Sequence, residues 1–352
     1  MSYVELQITS NFSFLRGASH GEELALTAAA LGYPAIGITD RNSLAGVVRL
    51  HAAALDAGVK PLIGARLDLR PSLPLSARNS SQETSAIPGG TRRDVDEMPS
   101  NDNVISGMTP GAETNMEPSV SMLCYPTDRA AYGRLSTLLT LGKRRAEKGD
   151  CDLTLDDVLA HDEGQIFIIV PPLARSALGI DDPFAQQLRF LATRWAGRCY
   201  LAASCCYRGD DHRRLAQLAT LARAAGAPLV ATNDVHYHVP ARRPLQDVLT
   251  CIREHCTVLE AGFRLAANAE RHLKSPAEME RLFADYPDAI RRTVEIADRI
   301  DFDLRQLRYN YPTDPVAGDD PPQAALTRLT WAGADKRFNR SLHLVSNRST
   351  IV

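Results

Sequence analysis

The sequence predicts an α/β protein: a closed or distorted barrel of seven strands with alternating helices, followed by a helical extension. Three observations carry this prediction. Seven short apolar runs with strand character occur before residue 240. Helical patterns lie between several of them, which implies a mainly parallel sheet. Polar side chains then arrive at strand ends. AIGIT (35–39) leads straight into Asp40, and PLVAT (228–232) leads into Asn233, Asp234 and His236. In barrels of this kind the C-terminal strand ends build the site, and the rest of each strand is core.

The strand candidates, in order, are YVELQIT (3–9), AIGIT (35–39), PLIGARLDL (61–69), VSMLCY (120–125), QIFIIV (165–170), CYLAAS (199–204) and PLVAT (228–232). The first helix, GEELALTAAALG, stops at Gly32, a good C-cap position. The second, NSLAGVVRLHAAALDAG, takes Asn42 or Ser43 as its N-cap and closes at Gly58. A third, DDHRRLAQLATLARAAG, places Leu215, Leu218 and Leu221 on one face and ends at Gly226. Residues 71–119 are rich in Pro, Ser, Asn, Gly, Thr and charge, without hydrophobic period. Such a stretch buries too little apolar area to offset its ordering entropy, so it is expected as a disordered insertion between two strands.

Beyond His236 the segments RRPLQDVLTCIREH, SPAEMERLFADY and PDAIRRTVEIADRI have amphipathic helical patterns, and Ser275-Pro276 supplies an N-cap followed by Pro. The expected domains are a barrel over 1–240, a helical connector over 241–334 and an unstructured tail over 335–352.

The chain has 352 residues, 44% hydrophobic and 23% charged, with a formal net charge of -2. That composition suits a globular protein with a real core. The charge excludes a strongly basic nucleic-acid binder. The 7 cysteines form no CxxC pair, which removes zinc-ribbon and thioredoxin-like motifs. No signal peptide or bilayer-spanning run is visible, and a reduced, cytoplasmic protein is expected. The phosphate-binding and nucleophile-elbow motifs GxxxxGK[ST], GxGxxG after a strand and GxSxG are absent from the sequence. The basic run GKRRAEKGD (142–150) carries acids too, and it is expected as a solvated helix end, as are Arg242 and Arg243. His238 and His255, without visible partners, are expected as ordinary surface or helix-end residues.

Five segments in order carry a resemblance: FSFLRGASH, GITDRNSLAGVVRLHAAA, GKRRAEKGDCDLTLDDVLAH, ATNDVHYHVPARRPLQDVLTCIREH and NAERHLKSPAEMERLF. Together they resemble the N-terminal region of bacterial C-family DNA polymerases, most of all the error-prone, damage-inducible branch related to the replicative alpha subunit. The likeness covers residues 1–70 and about 120–333. It implies a polymerase-and-histidinol-phosphatase (PHP) domain with a distorted seven-stranded βα barrel. It also implies a role in translesion synthesis, DNA replication and repair. The implied partners are the remainder of the polymerase chain, DNA through the longer enzyme, mutagenesis-complex proteins and the sliding clamp. The palm aspartates that hold Mg2+ for nucleotidyl transfer would lie beyond this chain, which is expected to be truncated or frameshifted near residue 335 and not to polymerise alone.

Intact PHP sites hold a metal cluster at the strand ends. Where such members carry strand-1 histidines, this sequence has Glu5, Gln7 and Thr9. Asp40 is retained, followed by Arg41 in place of histidine. Arg66 takes the place of an expected glutamate, and Cys205 and Cys206 take the place of a histidine. Asp234 and His236 stand unchanged. The remnant ligands are thus Asp40, Asp234 and His236, with Glu5 and Cys206 as extras, while Gln7, Thr9, Arg41 and Arg66 disrupt the site. Two-metal hydrolysis needs more donors than this. The expectation is an inert site with no Zn2+ or Mn2+, in which Arg41 and Arg66 pair with Asp40, Asp234 or Glu5. Two alternatives stand beside it: a single zinc held by Asp40, His236 and Cys206, and a stand-alone metal-dependent phosphoesterase.

Overall fold

The computed structural model describes residues 2–70, 120–172, 182–308 and 320–338. The expected disordered insertion, 71–119, lies outside the described residues. Residues up to Gln306 form one compact unit.

Six strands make one sheet in chain order: β1 (Ala35–Arg41), β2 (Lys60–Leu69), β3 (Val120–Pro126), β4 (Gln165–Val170), β5 (Cys199–Ser204) and β6 (Leu229–Thr232). β1 and β2 are parallel, and so are β4, β5 and β6. β3 runs against both its neighbours. β2 and β3 meet as the arms of a hairpin, with Leu69 opposite Val120, and antiparallel neighbours need no crossover helix.

The expected first strand, 3–9, is not continuous. It forms isolated bridges from Glu5 to Ile36 and from Ile8 to Val235. Its amides explain the interruption. Val4 N donates to Thr293 Oγ1, Gln7 N to the Glu5 carboxylate and Ile8 N to Thr39 Oγ1, so side chains take bonds that a ladder would use. The remaining bonds still join both edges of the sheet. Gly37 N donates to Glu5 O at 2.9 Å, while Thr9 N donates to Val235 O at 2.8 Å.

Strand alternation sorts the core into two faces. Leu62, Leu123, Tyr125, Ile166, Ile168 and Val230 point to one side, where Ile296, Ala297 and Ile300 pack against them. Ile63, Met122, Cys124, Phe167, Leu201 and Ala231 point to the other. That second face is covered by helices: α1 (Gly21–Ala30), α2 (Val47–Asp56), α3 (Arg129–Arg145), α4 (Leu155–Ala160), α5 (Pro183–Arg194) and α6 (Asp211–Ala225). Gly226 closes α6 in the left-handed conformation, as its position predicts.

α2 begins later than the pattern suggests, with Gly46 and not Asn42 or Ser43 as N-cap. Asn42 has positive φ and its side chain accepts from Asp68 N, so 42–46 is a turn. Gly46 is required there, because a Cβ would sit 2.4 Å from Asp40 Oδ2.

Three further helices follow: α7 (Arg243–Arg253), α8 (Pro276–Leu282) and α9 (Pro287–Asp298). Ser275 caps α8 by accepting from Glu278 N. α10 (Pro322–Phe338) belongs to a second unit, 307–352. It extends through Phe338, into the stretch from 335 expected as unstructured, and 339–352 lie outside the described residues. Among the described residues no helix is long and apolar enough to cross a membrane.

Candidate functional site: the strand-end cluster

The ends of β1 and β2, the 4–10 segment and the turn after β6 come together at one end of the sheet. β1 delivers Asp40 and Arg41, and β2 delivers Arg66 and Asp68 on one face. The turn after β6 delivers Asp234 with φ of 47°, a left-handed conformation that Asp tolerates better than most residues. A segment from outside the sheet completes the group. His236 N donates to Arg271 O at 2.9 Å and Tyr237 bridges to His272, which lays Arg271 over the site.

Each carboxylate is already occupied by donors of the protein. Asp40, 1% exposed, accepts from Ser10 N and Ser10 Oγ at 2.8 Å and from Ser13 Oγ at 2.7 Å. Burial raises its pKa against the pull of these serine bonds. Glu5 accepts from Tyr3 Oη, Gln7 N and Asn233 N at 2.7–2.9 Å, and burial pushes it up to about 7.

Asp234 accepts from Gln7 Nε2 at 2.8 Å and pairs with Arg271 at 3.2 Å and, more loosely, with Arg66 at 3.9 Å. Burial opposes its charge, but Arg271, His236 and Arg66 outweigh burial and hold the carboxyl well below its usual range.

His236 is committed as well. Arg271 Nη1 lies 3.2 Å from its Nε2. A guanidinium can only donate, so Nε2 spends on Arg271 the lone pair a metal would need. Burial first, and Arg271 next, push His236 down to about 4.

The expected ion pairs form in part: Arg66 does reach Asp234, but the rest of the pairing differs. Arg41 pairs with Asp68 at 2.8 Å and not with Asp40, whose needs the serines meet. Arg66 binds Asp68 at 3.0 Å and Ser121 Oγ at 2.8 Å and reaches Asp234 only at longer range. Glu5 takes neutral donors only. Gln7 is a cross-link: its amide donates to Asp234 and accepts from Thr232 Oγ1. Thr9 is buried and donates its amide to Val235 O.

Cys205 and Cys206 are both buried, with thiols raised by burial. Cys205 belongs to the helix-facing core. Among the described residues, no three His, Cys, Asp or Glu side chains are grouped so as to hold a metal ion. Asp40, His236 and Cys206 therefore make no zinc site in this arrangement. The donor set does not fit the metal cluster that the family implies.

Ser10, Ser13, Asp68 and Arg271 escaped the sequence reading. Asp68 carried a signal, since it alternates with Arg66 on one face of β2. Arg271 carried none, because it lies outside any strand or helix. His238 also has partners, contrary to expectation: Ser19 Oγ at 2.8 Å and Glu23 at 4.0 Å. Arg242 pairs with Glu23 and Arg243 with Asp247. α3 ends at Arg145, within the basic run, and Arg145 pairs with Asp157.

Residues 5–161 match the family model of the PHP domain. This chain carries a PHP domain at its N-terminal end. The PHP region and the sequence after it align with error-prone DNA polymerases. The protein of that name from Caulobacter vibrioides is 51% identical over 336 residues, covering 96% of this chain and 26% of the relative. The one from Bradyrhizobium diazoefficiens is 46% identical, again over 96% and 26%. The chain thus spans about a quarter of the length of these curated relatives. Among solved structures, one similar protein is a Chromobacterium violaceum amidohydrolase with a TM-score of 0.38 and 14% identity. That match covers 67% of this chain and 88% of the other.

Proposed function

We propose that this chain is the PHP scaffold of an error-prone DNA polymerase that acts in damage-induced mutagenesis and translesion synthesis, and that its strand-end site does no hydrolysis. One observation carries the second part: every ligand-type side chain retained at the strand ends is engaged by a donor of the protein itself. Ser10 and Ser13 occupy Asp40, and Arg271 occupies both Asp234 and His236. A cation would have to displace a guanidinium bonded to both of its best ligands. The names of the relatives support the first part.

In this reading residues 1–240 are the barrel, with the 3–9 segment as its seventh stave, and 241–334 connect it to the polymerase core. α7 supports a docking role. Leu245, Val248 and Ile252 are exposed on it, while Gln246 and Thr250 are buried. An outward apolar face of that kind suits contact with the rest of a longer chain. Mg2+, DNA, the sliding clamp and mutagenesis-complex proteins would be engaged by that longer enzyme, in the cytoplasm.

The test is calorimetric titration of the chain with Mn2+ and Zn2+, together with phosphoester hydrolysis and primer extension. We expect no stoichiometric metal binding, no turnover and no nucleotide incorporation. Tight metal uptake with hydrolysis lost in His236→Gln would establish the stand-alone phosphoesterase instead.

A further inference from the structure

The C-terminal end of α7 brings two thiols together. His255, just past the helix, has φ of 50°, in the left-handed region. Around it, Cys256 N donates to Cys251 O at 3.0 Å and His255 N to Ile252 O at 3.4 Å. These two bonds about a left-handed residue make a Schellman closure, in which the side chain three residues before the C-cap meets the one two residues after it. With Glu254 as C-cap, those side chains are Cys251 and Cys256.

Both are free thiols, Cys251 buried and Cys256 half-buried. They share a side-chain hydrogen bond, and after burial itself the Cys256 thiol does most to raise that of Cys251. The 3.0 Å bond between their backbones keeps the two Cα atoms under about 7 Å apart, inside the reach of a disulfide. Elsewhere the cysteines are placed differently. Cys124, Cys199 and Cys205 are packed in the helix-facing core. Cys205 and Cys206 adjoin in sequence, and adjacent Cα atoms, about 3.8 Å apart, are too close for a relaxed disulfide, which needs about 4.4 Å or more.

Cys256 also opens a distinctive stretch. Thr257 Oγ1 donates to Glu260 Oε2 at 2.9 Å, and Leu259 and Phe263 stand fully exposed. Closure between 251 and 256 would tie that stretch to the last turn of α7.

We propose that Cys251 and Cys256 are a redox modification site: a hydroperoxide converts them to a disulfide that fixes the 256–264 stretch, with its exposed Leu259 and Phe263, on the end of α7. Cys256, the half-exposed sulfur, meets the oxidant. Its thiolate attacks a peroxide oxygen, the O–O bond breaks, and the sulfur becomes a sulfenic acid as an alcohol leaves (water, where the oxidant is hydrogen peroxide). The Cys251 sulfur then forms the S–S bond and expels the hydroxyl as water. Two thiols lose two electrons, the peroxide gains them, and both thiol protons end in the alcohol and the water. The loop closed is short, so the link adds little stability through chain entropy, and its exposed sulfur leaves it open to reduction by thiols. Transient disulfides of this kind suit a reducing compartment.

The test is oxidation of the full chain with hydrogen peroxide, then alkylation of the remaining thiols, tryptic digestion and mass spectrometry. Arg253 lies between the two cysteines, so trypsin parts them, and the disulfide joins peptide 243–253 to peptide 254–264. We expect that joined pair as the main product, released by dithiothreitol and absent from Cys251→Ser and Cys256→Ser. It should form at least tenfold faster in the folded chain than in urea. His255→Gly, which keeps the left-handed turn, should preserve the rate, and His255→Val, which disfavours that turn, should lower it severalfold. Phenylarsine oxide, which bridges close thiols, should bind in one equivalent and protect both cysteines from alkylation. Amide exchange over 256–264 should slow in the oxidised chain. Cys256 oxidised to its sulfinic acid with Cys251 still free, a joined product through other cysteines in place of this pair, or equal rates in the folded and unfolded chain would overturn the site. Unchanged amide exchange would overturn the fixing of the stretch.

Discussion

Arg271 is the side chain on which the strand-end cluster turns. It serves Asp234 and His236 at once, and removing one member of a largely buried pair leaves the other charge without its partner. Arg271→Met is therefore expected to cost roughly 3 kcal/mol, read as a lowered denaturant midpoint, and Asp234→Asn in the same chain should recover much of that loss. An additive double mutant would show the pair to be dispensable. Asp68 sets a pH dependence. Burial opposes its ionisation, but Arg66, Arg41 and Ser121 together outweigh burial and lower its pKa. A carboxyl depressed in the folded state contributes stability above its unfolded value, here about 3.8, and loses it as pH falls through the folded value. The acid limb of the stability curve below that point should thus be shallower in Asp68→Asn than in the wild type. Asp40, Asp234 and His236 were all legible in the sequence as strand-end polar residues. Their partners were not, because Ser10, Ser13 and Arg271 reach them from irregular segments with no period to read.

At the scale of elements, six of the seven apolar runs became strands within a residue or two of the predicted limits. Apolar alternation fixes which residues lie in a strand, but not its direction. β3 is reversed relative to its neighbours, and nothing in VSMLCY announces that. The 3–9 run shows the other limit: a strand-like pattern persists while side chains claim its amides. Tyr125 on β3 shows how closely these elements fit. Its hydroxyl donates to Leu6 O at 2.6 Å, and its ring passes over Gly37 of β1 and Gly64 of β2. A Cβ on Gly37 would lie 2.2 Å from that hydroxyl. Gly37→Ala is expected to destabilise by about 1–3 kcal/mol through overpacking. Tyr125→Phe removes the nearest clashing atom, so a double-mutant cycle should return a favourable coupling. Zero coupling would mean that the strands, not the ring, absorb the strain.

For the molecule as a whole, the question is what an isolated chain does with the surface of α7. The helix is strongly amphipathic, but its polar residues Gln246 and Thr250 face inward and Leu245, Val248 and Ile252 face out. Gln246 is drawn in because it donates to Arg16 O, so the loop carrying Arg16 dictates which face of α7 is shown. Leu259 and Phe263 follow at essentially full exposure. Exposed apolar residues gathered on one helix face and its continuation exceed what scattered surface hydrophobics account for, and they favour association. Sedimentation analysis of the purified chain should show a weight-average mass that rises with concentration. Val248→Glu with Ile252→Glu should hold it monomeric without lowering the melting temperature, since neither residue is part of the buried core. A monomer at all concentrations would mean that this face is tolerated in water and would remove the main support for docking through α7. A double variant that melts early would mean instead that α7 packs inward through the face read here as free.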